Sequence, residues 1–306
     1  MNTSRVAIIM GSYNGEDFIK QQLNSIKEQS FEDWFLWISD DNSTDSTIDY
    51  VTDFLNQNKG AGKLLTGPGK GFNENFKSLI MNEAIHSEYY AFSDQDDIWA
   101  KSKLKRAVEW LDTVPYEVPA FFCSRTELID QNNKFIGFSP DFKKKPDFKN
   151  ALIQNIASGN TMVFNHAARE LLKLSLSGPV VIHDWSLYLV VTACGGQVFY
   201  DSSPSVFYRQ HTANVIGNSM GLKQRFRNYK LASQGRRQIW NDTNISMLER
   251  IHPHLTFEAK KTLHLFRSIR QRSLFKRVLS LKESGVYHQQ LIGTLTTFVH
   301  TLMNRM

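Results

Sequence analysis

From Tyr89 the chain reads Tyr-Tyr-Ala-Phe-Ser and then meets Asp94, Asp96 and Asp97 within four positions, with Ile98-Trp99 behind them. The aromatic and apolar run suits a strand packed on both faces. Such strands belong to parallel sheets, whose ligands sit beyond the carboxyl ends of the strands. Three carboxylates at that point repel one another unless something cationic holds them. Asp94 and Asp96 alternate around Gln95, so in extended backbone they project to one side and are placed to share a divalent ion through hard oxygen ligands. An acidic turn capping a helix from about Ala100 accounts for the same residues, and the cluster alone does not choose between the two.

The chain before this point has the rhythm of a doubly wound parallel sheet. Val6 to Met10 reads as a buried strand, and Gly11-Ser12-Tyr13-Asn14-Gly15 as the turn after it. Glu16 and Asp17 then lead a helix with Phe18, Ile19, Leu23 and Ile26 on one face. Trp34 to Ile38 is a second strand ending in Ser39-Asp40-Asp41-Asn42-Ser43-Thr44-Asp45, with a helix through Ile48, Val51, Phe54 and Leu55. Gly60 to Gly71, rich in Gly and Lys, reads as a loop, and Phe72 to His86 as the helix that delivers the chain into the central strand.

After the acidic turn, Lys101 to Leu111 is expected as a basic amphipathic helix, Ala120 to Ser124 as a strand and Ile129 to Gly137 as a hairpin. Ser139 to Asn150, with Lys143-Lys144-Lys145-Pro146, reads as a mobile loop suited to closing over an anionic substrate. Gly159 lies in a small-residue turn, Ala157-Ser158-Gly159-Asn160, directly before a strand, where backbone can approach a ligand. A helix follows from Ala167, and His183-Asp184-Trp185 opens an apolar helix. The acid alone is ordinary capping, but a His and an indole beside it mark a site. Val198 to Asp201 and Val206 to Tyr208 read as two further strand segments, the second leading into Arg209-Gln210-His211-Thr212-Ala213-Asn214, a cluster unusually polar for the exit from a sheet.

Composition narrows the setting. A length of 306 residues allows one large α/β domain, or a domain plus an appendage. Two cysteines, Cys123 and Cys194, exclude a disulfide framework and a Cys-based zinc site, and fit a reducing compartment. Val6 to Met10 is too brief for a signal sequence or a membrane span. The net charge of +6 conceals an asymmetry. Residues 222–306 hold sixteen Lys+Arg against four Asp+Glu (+12), leaving twenty against twenty-six (−6) for the rest. From Leu222 the alternation gives way to helical patterns in which Phe226, Tyr229, Ile239, Trp240, Leu248 and Ile251 are interleaved with Arg and Lys. The expected division is therefore a site-bearing domain over 1–221 and a basic helical extension over 222–306. Such an extension suits nucleic acid or an anionic membrane surface, a solvated helical face, or helical packing and homo-oligomerisation.

Met10-Gly11-Ser12-Tyr13-Asn14-Gly15, Asp40-Asp41-Asn42-Ser43-Thr44-Asp45 and Asp94-Gln95-Asp96, each at a strand end and in this order, resemble the motifs of glycosyltransferase family 2, the inverting enzymes with the GT-A nucleotide-diphospho-sugar fold. The resemblance covers roughly the first two thirds, up to about Asn214. Ser-Asp-Gln-Asp-Asp-Ile-Trp with His-Asp-Trp and Tyr-Arg-Gln-His looks most like bacterial rhamnosyltransferases of O-antigen and other polysaccharide assembly. It implies an α/β GT-A fold with a mostly parallel central sheet. It also implies a donor of dTDP-L-rhamnose or a UDP-sugar, a lipid-linked saccharide acceptor, Mn²⁺ or Mg²⁺, and a cytoplasmic chain peripheral on the inner face of the plasma membrane.

Carried over residue by residue, Gly11 allows close approach to the nucleotide, Tyr13 stacks near its base, Asp41 accepts the base-ring N–H or else caps the following helix, and Asp94 contacts the ribose or binds metal through water. Asp96 is the direct metal ligand and His211 completes the coordination. Asp97 instead caps the following helix. Asp184 is the base that removes the acceptor hydroxyl proton as that oxygen attacks the anomeric carbon opposite the leaving diphosphate. His183 bonds the acceptor or positions Asp184, and Trp185 walls the acceptor sugar or belongs to the core. Arg209 pairs with the diphosphate or with a structural acid. A nucleotidyltransferase of the same sheet fits poorly, because Gly11 to Asp17 is acidic where a triphosphate loop is basic. A nucleic-acid binder is disfavoured by the acidic site-bearing body and by the lack of any recognised module.

Overall fold

The computed structural model describes residues 4–211 and 236–306. The expected boundary at 221/222, and the cluster's last residues Thr212 to Asn214, lie outside them. Among the described residues nine strands form a mixed sheet in the order β3-β2-β1-β4-β8-β6-β9-β5, with β7 on β6. The first half, β1 (Val6–Ser12), β2 (Trp34–Asp40), β3 (Gly62–Thr66) and β4 (Tyr89–Ser93), is parallel throughout. The short β8 (Val163–Asn165) runs antiparallel between β4 and β6 (Ala120–Asp130). β6 then pairs in parallel with the long β9 (Gln197–Gln210), whose far edge carries β5 (Ile98–Trp99), while β7 (Phe135–Phe138) folds back on β6 as the expected hairpin.

Period-two alternation divides the core. Val6, Ile8 and Met10 of β1 pack with Ile19, Leu23, Val51, Phe54, Leu104 and Val108, which come from α1 (Ile19–Lys27), α2 (Thr47–Gln57) and α4 (Lys103–Leu111). Ala7 and Ile9 face the other side with Phe76, Leu172 and Leu187, from α3 (Phe72–Met81), α6 (His166–Ser175) and α7 (His183–Ala193). The same layer takes in Met247, Leu248, Leu263 and Phe266 of α8 (Arg237–Arg250) and α9 (Phe257–Ser268), beyond which lie α10 (Leu274–Ser284) and α11 (Leu291–Leu302). α7 is apolar all round and nearly every residue in it is buried, as befits a core helix. Whatever it carries at its start is rigidly held.

The register fixes where chemistry can occur. Ser12 pairs with Asp40, Asp40 with Thr66 and Met10 with Ser93, so β1, β2, β3 and β4 end abreast and their following loops emerge side by side. The polar turns of three separate motifs therefore converge on one edge.

Several expected elements differ. Gly60 to Gly71 is not all loop, because Gly62–Thr66 forms β3, completing the edge by pairing with Leu36 to Asp40. The helix from Phe72 stops at Met81 rather than His86. The two segments expected over 198–208 are one strand, bent at a register shift opposite Ser124 and Thr126 that accommodates Pro204. The stretch 139–150 ends in the short α5 (Phe148–Ala151), and Lys144 is tied to the far end of the chain through the His288 carbonyl and the Gln289 side chain.

Candidate active site

At the β2 end, Asp40 and Asp41 do different work. The Asp40 carboxylate accepts from Ser12 Oγ at 2.8 Å, Ser43 N–H at 2.8 Å and Ser43 Oγ at 2.6 Å, which ties the β1 and β2 turns together. Asp41 does not cap α2. Its two oxygens accept the Gly69 and Gly71 N–H groups at 2.6 and 2.7 Å, shaping the glycine-rich loop between β3 and α3. Gly71 has φ of 89°, a conformation that strains any side-chain-bearing residue. Tyr13 is 56% exposed on this edge. Gly11 lets β1 approach α3, since a Cβ there would stand 3.3 Å from Asn75 and 3.4 Å from the Phe76 ring.

The middle residue of Asp94-Gln95-Asp96 links the turns. Gln95 accepts from the Tyr13 N–H at 2.9 Å and donates to the Tyr13 carbonyl at 2.8 Å, holding the backbone of Tyr13 at both its polar groups. Gly15 leaves room for it, because a Cβ there would lie 2.3 Å from Gln95 Oε1. The sequence offered no signal for Gln95 beyond its place between two acids.

Asp96 Oδ2 and His211 Nε2 lie 2.8 Å apart, joining the β4 turn to the chain just past β9. Among the described residues no three His, Cys, Asp or Glu side chains converge closely enough to enclose a metal ion. Asp94 is pushed up to about 7 by burial and by the neighbouring Asp96 and Asp184 charges, against the pull of Lys103. Asp97 does not cap the next helix. It is fully buried, accepting from Asn160 Nδ2 at 2.5 Å and from the Arg209 N–H at 3.1 Å, and burial beside two like charges holds its carboxyl far above the ordinary range. Beneath it lies Lys103, also fully buried, donating to the Asn160 carbonyl at 2.8 Å and sitting 3.1 Å over the Trp99 ring. Burial pulls its ammonium well below the usual value, while Asp97 and Asp94 support its charge. A lysine in a basic amphipathic helix reads as solvated, so Lys103 and Asn160 escaped the sequence.

Arg209 is buried and its guanidinium is engaged. It donates to the Asp96 carbonyl, Gln21 Oε1 and Asn133 Oδ1 at 2.8, 2.8 and 2.5 Å, and lies 4.5 Å over the Phe18 ring. It fastens the acidic turn to α1 and to the β6–β7 hairpin. Removing one end of such a network leaves several buried acceptors unpaired, each costing about 1–3 kcal/mol. Arg209→Ala is therefore expected to lower unfolding stability by at least about 3 kcal/mol, read from urea denaturation. A change below about 1 kcal/mol would show that the network carries little.

Asp184 enters from the opposite layer, in the first turn of α7. Its Oδ2 accepts the Gly159 N–H at 3.0 Å and its Oδ1 the Trp185 N–H at 2.5 Å. Burial pushes its carboxyl up to about 6 against these N–H donors and Asn155. Gly159 has to be small, since a Cβ would lie 3.1 Å from His183 Nε2 and 3.3 Å from Asp184 Cβ. His183 is buried, stacked on Phe76 with ring centroids 4.1 Å apart and edge-on to Phe92, and burial pulls it down to about 3, so its ring is neutral. Trp185 turns into the core, donating to the Ala151 carbonyl at 2.7 Å and meeting Trp240 edge-on. Of the two readings open for it, the structure shows the core residue.

Ionisable groups thus gather at the carboxyl edge of the parallel half of the sheet, with the Asp184 carboxylate acting on the Asp94–Asp96 turn from a core helix. Residues 7–172 match the family model described as glycosyl transferase family 2. The chain belongs to glycosyltransferase family 2. The glycosyltransferase is 30% identical over 240 residues to the dTDP-rhamnosyl transferase RfbG of Shigella flexneri, covering 71% of this chain and 77% of that one. It is 32% identical over 137 residues to WfgD of Escherichia coli, a UDP-Glc:alpha-D-GlcNAc-diphosphoundecaprenol beta-1,3-glucosyltransferase, covering 45% and 51%. Its fold is that of the GT-A structures of S. aureus TarS 1-349 in complex with UDP-GlcNAc (TM-score 0.55, 17% identity, 92% of this chain and 80% of that one) and of the Pyrobaculum calidifontis mannosyltransferase PcManGT in complex with GDP-Man and Mn²⁺ (TM-score 0.51, 19% identity, 99% and 86%).

Proposed function

We propose that this glycosyltransferase moves L-rhamnose from dTDP-L-rhamnose, with inversion, onto a lipid-linked saccharide during O-antigen or capsule synthesis. The observation that carries the reading is Asp184, a carboxylate held by the Gly159 and Trp185 N–H groups close enough to the Asp94–Asp96 turn for its charge to act on Asp94. Tyr13 offers its exposed ring to the base and Gly11 lies beneath. Asp41 takes the base-ring N–H on a lone pair left over from Gly69 and Gly71, since a carboxylate accepts about four hydrogen bonds. Asp94 contacts the ribose.

Asp96 and His211 would hold Mn²⁺ or Mg²⁺, and Asp94, if not committed to the ribose, would reach it through water. Their Oδ2 and Nε2 already meet at 2.8 Å, and a carboxylate oxygen beside an imidazole nitrogen is a donor set such an ion accepts. Such ions keep several positions for water and phosphate oxygens, so two protein ligands suffice. When bound, the ion offsets the charge developing on the departing diphosphate. Asp184 takes the proton of the acceptor hydroxyl, and neutral His183 beside it positions that carboxylate or the sugar. Arg209, committed to the acidic turn, acts by positioning.

The RfbG likeness supports the rhamnosyl donor, and the diphosphoundecaprenol acceptor named for WfgD supports a lipid-linked acceptor. A UDP-sugar donor is the second reading, favoured by the UDP-Glc of WfgD and the UDP-GlcNAc bound by TarS. Thermal shifts with dTDP, UDP, ADP and GDP, each with Mn²⁺ and with chelator, decide between them. A ligand at a hundredfold over its Kd adds about 2.7 kcal/mol of apparent stability. A metal-dependent shift largest with dTDP is expected. A shift largest with UDP moves the donor to a UDP-sugar, and no shift with any nucleotide contradicts the proposal.

A base must be ionised to work, and Asp184 is raised to about 6. Transfer is therefore expected to fall about tenfold per pH unit below pH 6 and to level off above it. A rate flat down to pH 4.5 would remove Asp184 from the proton transfer.

A further inference from the structure

The last two helices carry their polarity inside out. In α11, Thr297, His300 and Thr301 are buried, while Leu291, Ile292, Leu295, Phe298, Val299 and Leu302 face outward, with Ile292 72% exposed. At 100° per residue these six form one stripe opposite the buried polar side. α10 repeats the pattern, with Ser280 and Ser284 buried and Leu274, Phe275 and Leu279 exposed, Phe275 at 81%. A helix packed for water shows the opposite arrangement. We infer that this face lies in the surface of an anionic lipid bilayer, a partner whose choice rests on the lipid-linked acceptor proposed above.

Charge and length favour lipid over a second copy of the chain. α11 has no Asp, Glu, Lys or Arg over twelve residues, and from Leu274 to Met306 there are four Lys+Arg against one acid. The exposed Lys276 and Lys282 border the stripe, where their stems lie along apolar surface and their ammonium groups meet phosphates. A two-fold contact between copies would bring the same basic patch against itself. At 1.5 Å per residue α11 is about 18 Å long, too short for a hydrocarbon core of about 30 Å. No helix among the described residues is long and apolar enough to cross a membrane. The helix lies flat in the interface.

The face is also wired to the site. Between α10 and α11, the Tyr287 carbonyl accepts from Asn150, and the Gln289 N–H donates to Gln154. Asn150 in α5 accepts from the Tyr188 hydroxyl, and the Ala151 carbonyl receives the Trp185 indole, so the seat of α11 abuts α7, which carries Asp184 in its first turn.

The test is co-sedimentation of the full chain with phosphatidylcholine vesicles, with or without 30% phosphatidylglycerol, and with no donor or acceptor present. Binding to the anionic vesicles is expected, weakened by salt and reduced at least tenfold in the triple variant Leu291→Ser, Ile292→Ser, Leu295→Ser. The variant Phe275→Ser, Leu279→Ser on α10 gives an independent reading should the first lose its fold, which thermal melting reports. Failure of the wild type to sediment, or equal binding by folded variants, overturns the inference. So does a dimer in solution that these variants dissolve. Vesicle binding by a chain that transfers no sugar when donor and acceptor are supplied in a separate assay would overturn the proposed function and leave the membrane face standing.

Discussion

Asp184→Asn is expected to lower sugar transfer by about 10²- to 10⁴-fold, the range for losing a general base, while nucleotide affinity stays within about twofold. The separation of the two effects follows from position. Asp184 stands on α7, on the side proposed for the acceptor, whereas the groups proposed for the nucleotide stand at the ends of β1, β2 and β4. The fold tolerates the change. An amide oxygen still accepts one of the Gly159 and Trp185 N–H groups, and the amide nitrogen opposes the other, an unsatisfied contact of about 1–3 kcal/mol. Against that, the substitution removes a carboxylate whose charged form burial disfavours. The check pairs a transfer assay with dTDP titration. Loss of dTDP affinity in step with activity would place Asp184 in the donor site instead.

The second large effect is expected from Asp96→Ala. The variant removes the carboxylate that faces His211 at 2.8 Å, and with it the proposed metal pair. Charge stabilisation by a bound dication contributes several kcal/mol at a developing diphosphate, so transfer falls by about 10³-fold or more. Nucleotide binding loses its response to Mn²⁺, read as identical thermal shifts with metal and with chelator. Packing changes little, because Asp96 sits at the mouth of the edge rather than in the core. A variant still stimulated by Mn²⁺ would move the metal away from this turn.

How much of this was legible in the sequence depends on how local the signal is. Val6 to Met10 and Tyr89 to Ser93 are apolar on both faces, and that pattern alone places them inside a parallel sheet with their acidic turns at one edge. β3 escaped because it is a five-residue edge strand, half-buried, flanked by glycines that equally announce a loop. Gln95, Asn160 and Lys103 escaped for a different reason. Each acts through a partner 57 to 82 residues away, the Tyr13 peptide for Gln95 and the Asp97–Asn160–Lys103 contacts for the others, and no spacing along the chain reveals such pairs. Trp185 and Arg209 were visible as unusual residues, but only the fold shows one bonded to Ala151 and the other drawn under the acidic turn. The C-terminal helices show the limit of composition. Their net positive charge was plain, whereas the burial of Thr297 and Thr301 beneath an exposed leucine stripe requires the packing.

The most direct test of the central claim is the anomeric configuration of the product. Incubation with dTDP-β-L-rhamnose, Mn²⁺ and a lipid-linked saccharide acceptor, followed by NMR of the transferred sugar, reads it without ambiguity. A single displacement assisted by Asp184 predicts an α-linked rhamnose, formed only with acceptor present and absent with Asp184→Asn. A β-linked product would contradict the account, because retention requires a second displacement for which Asp184, acting as a base on the acceptor, has no role.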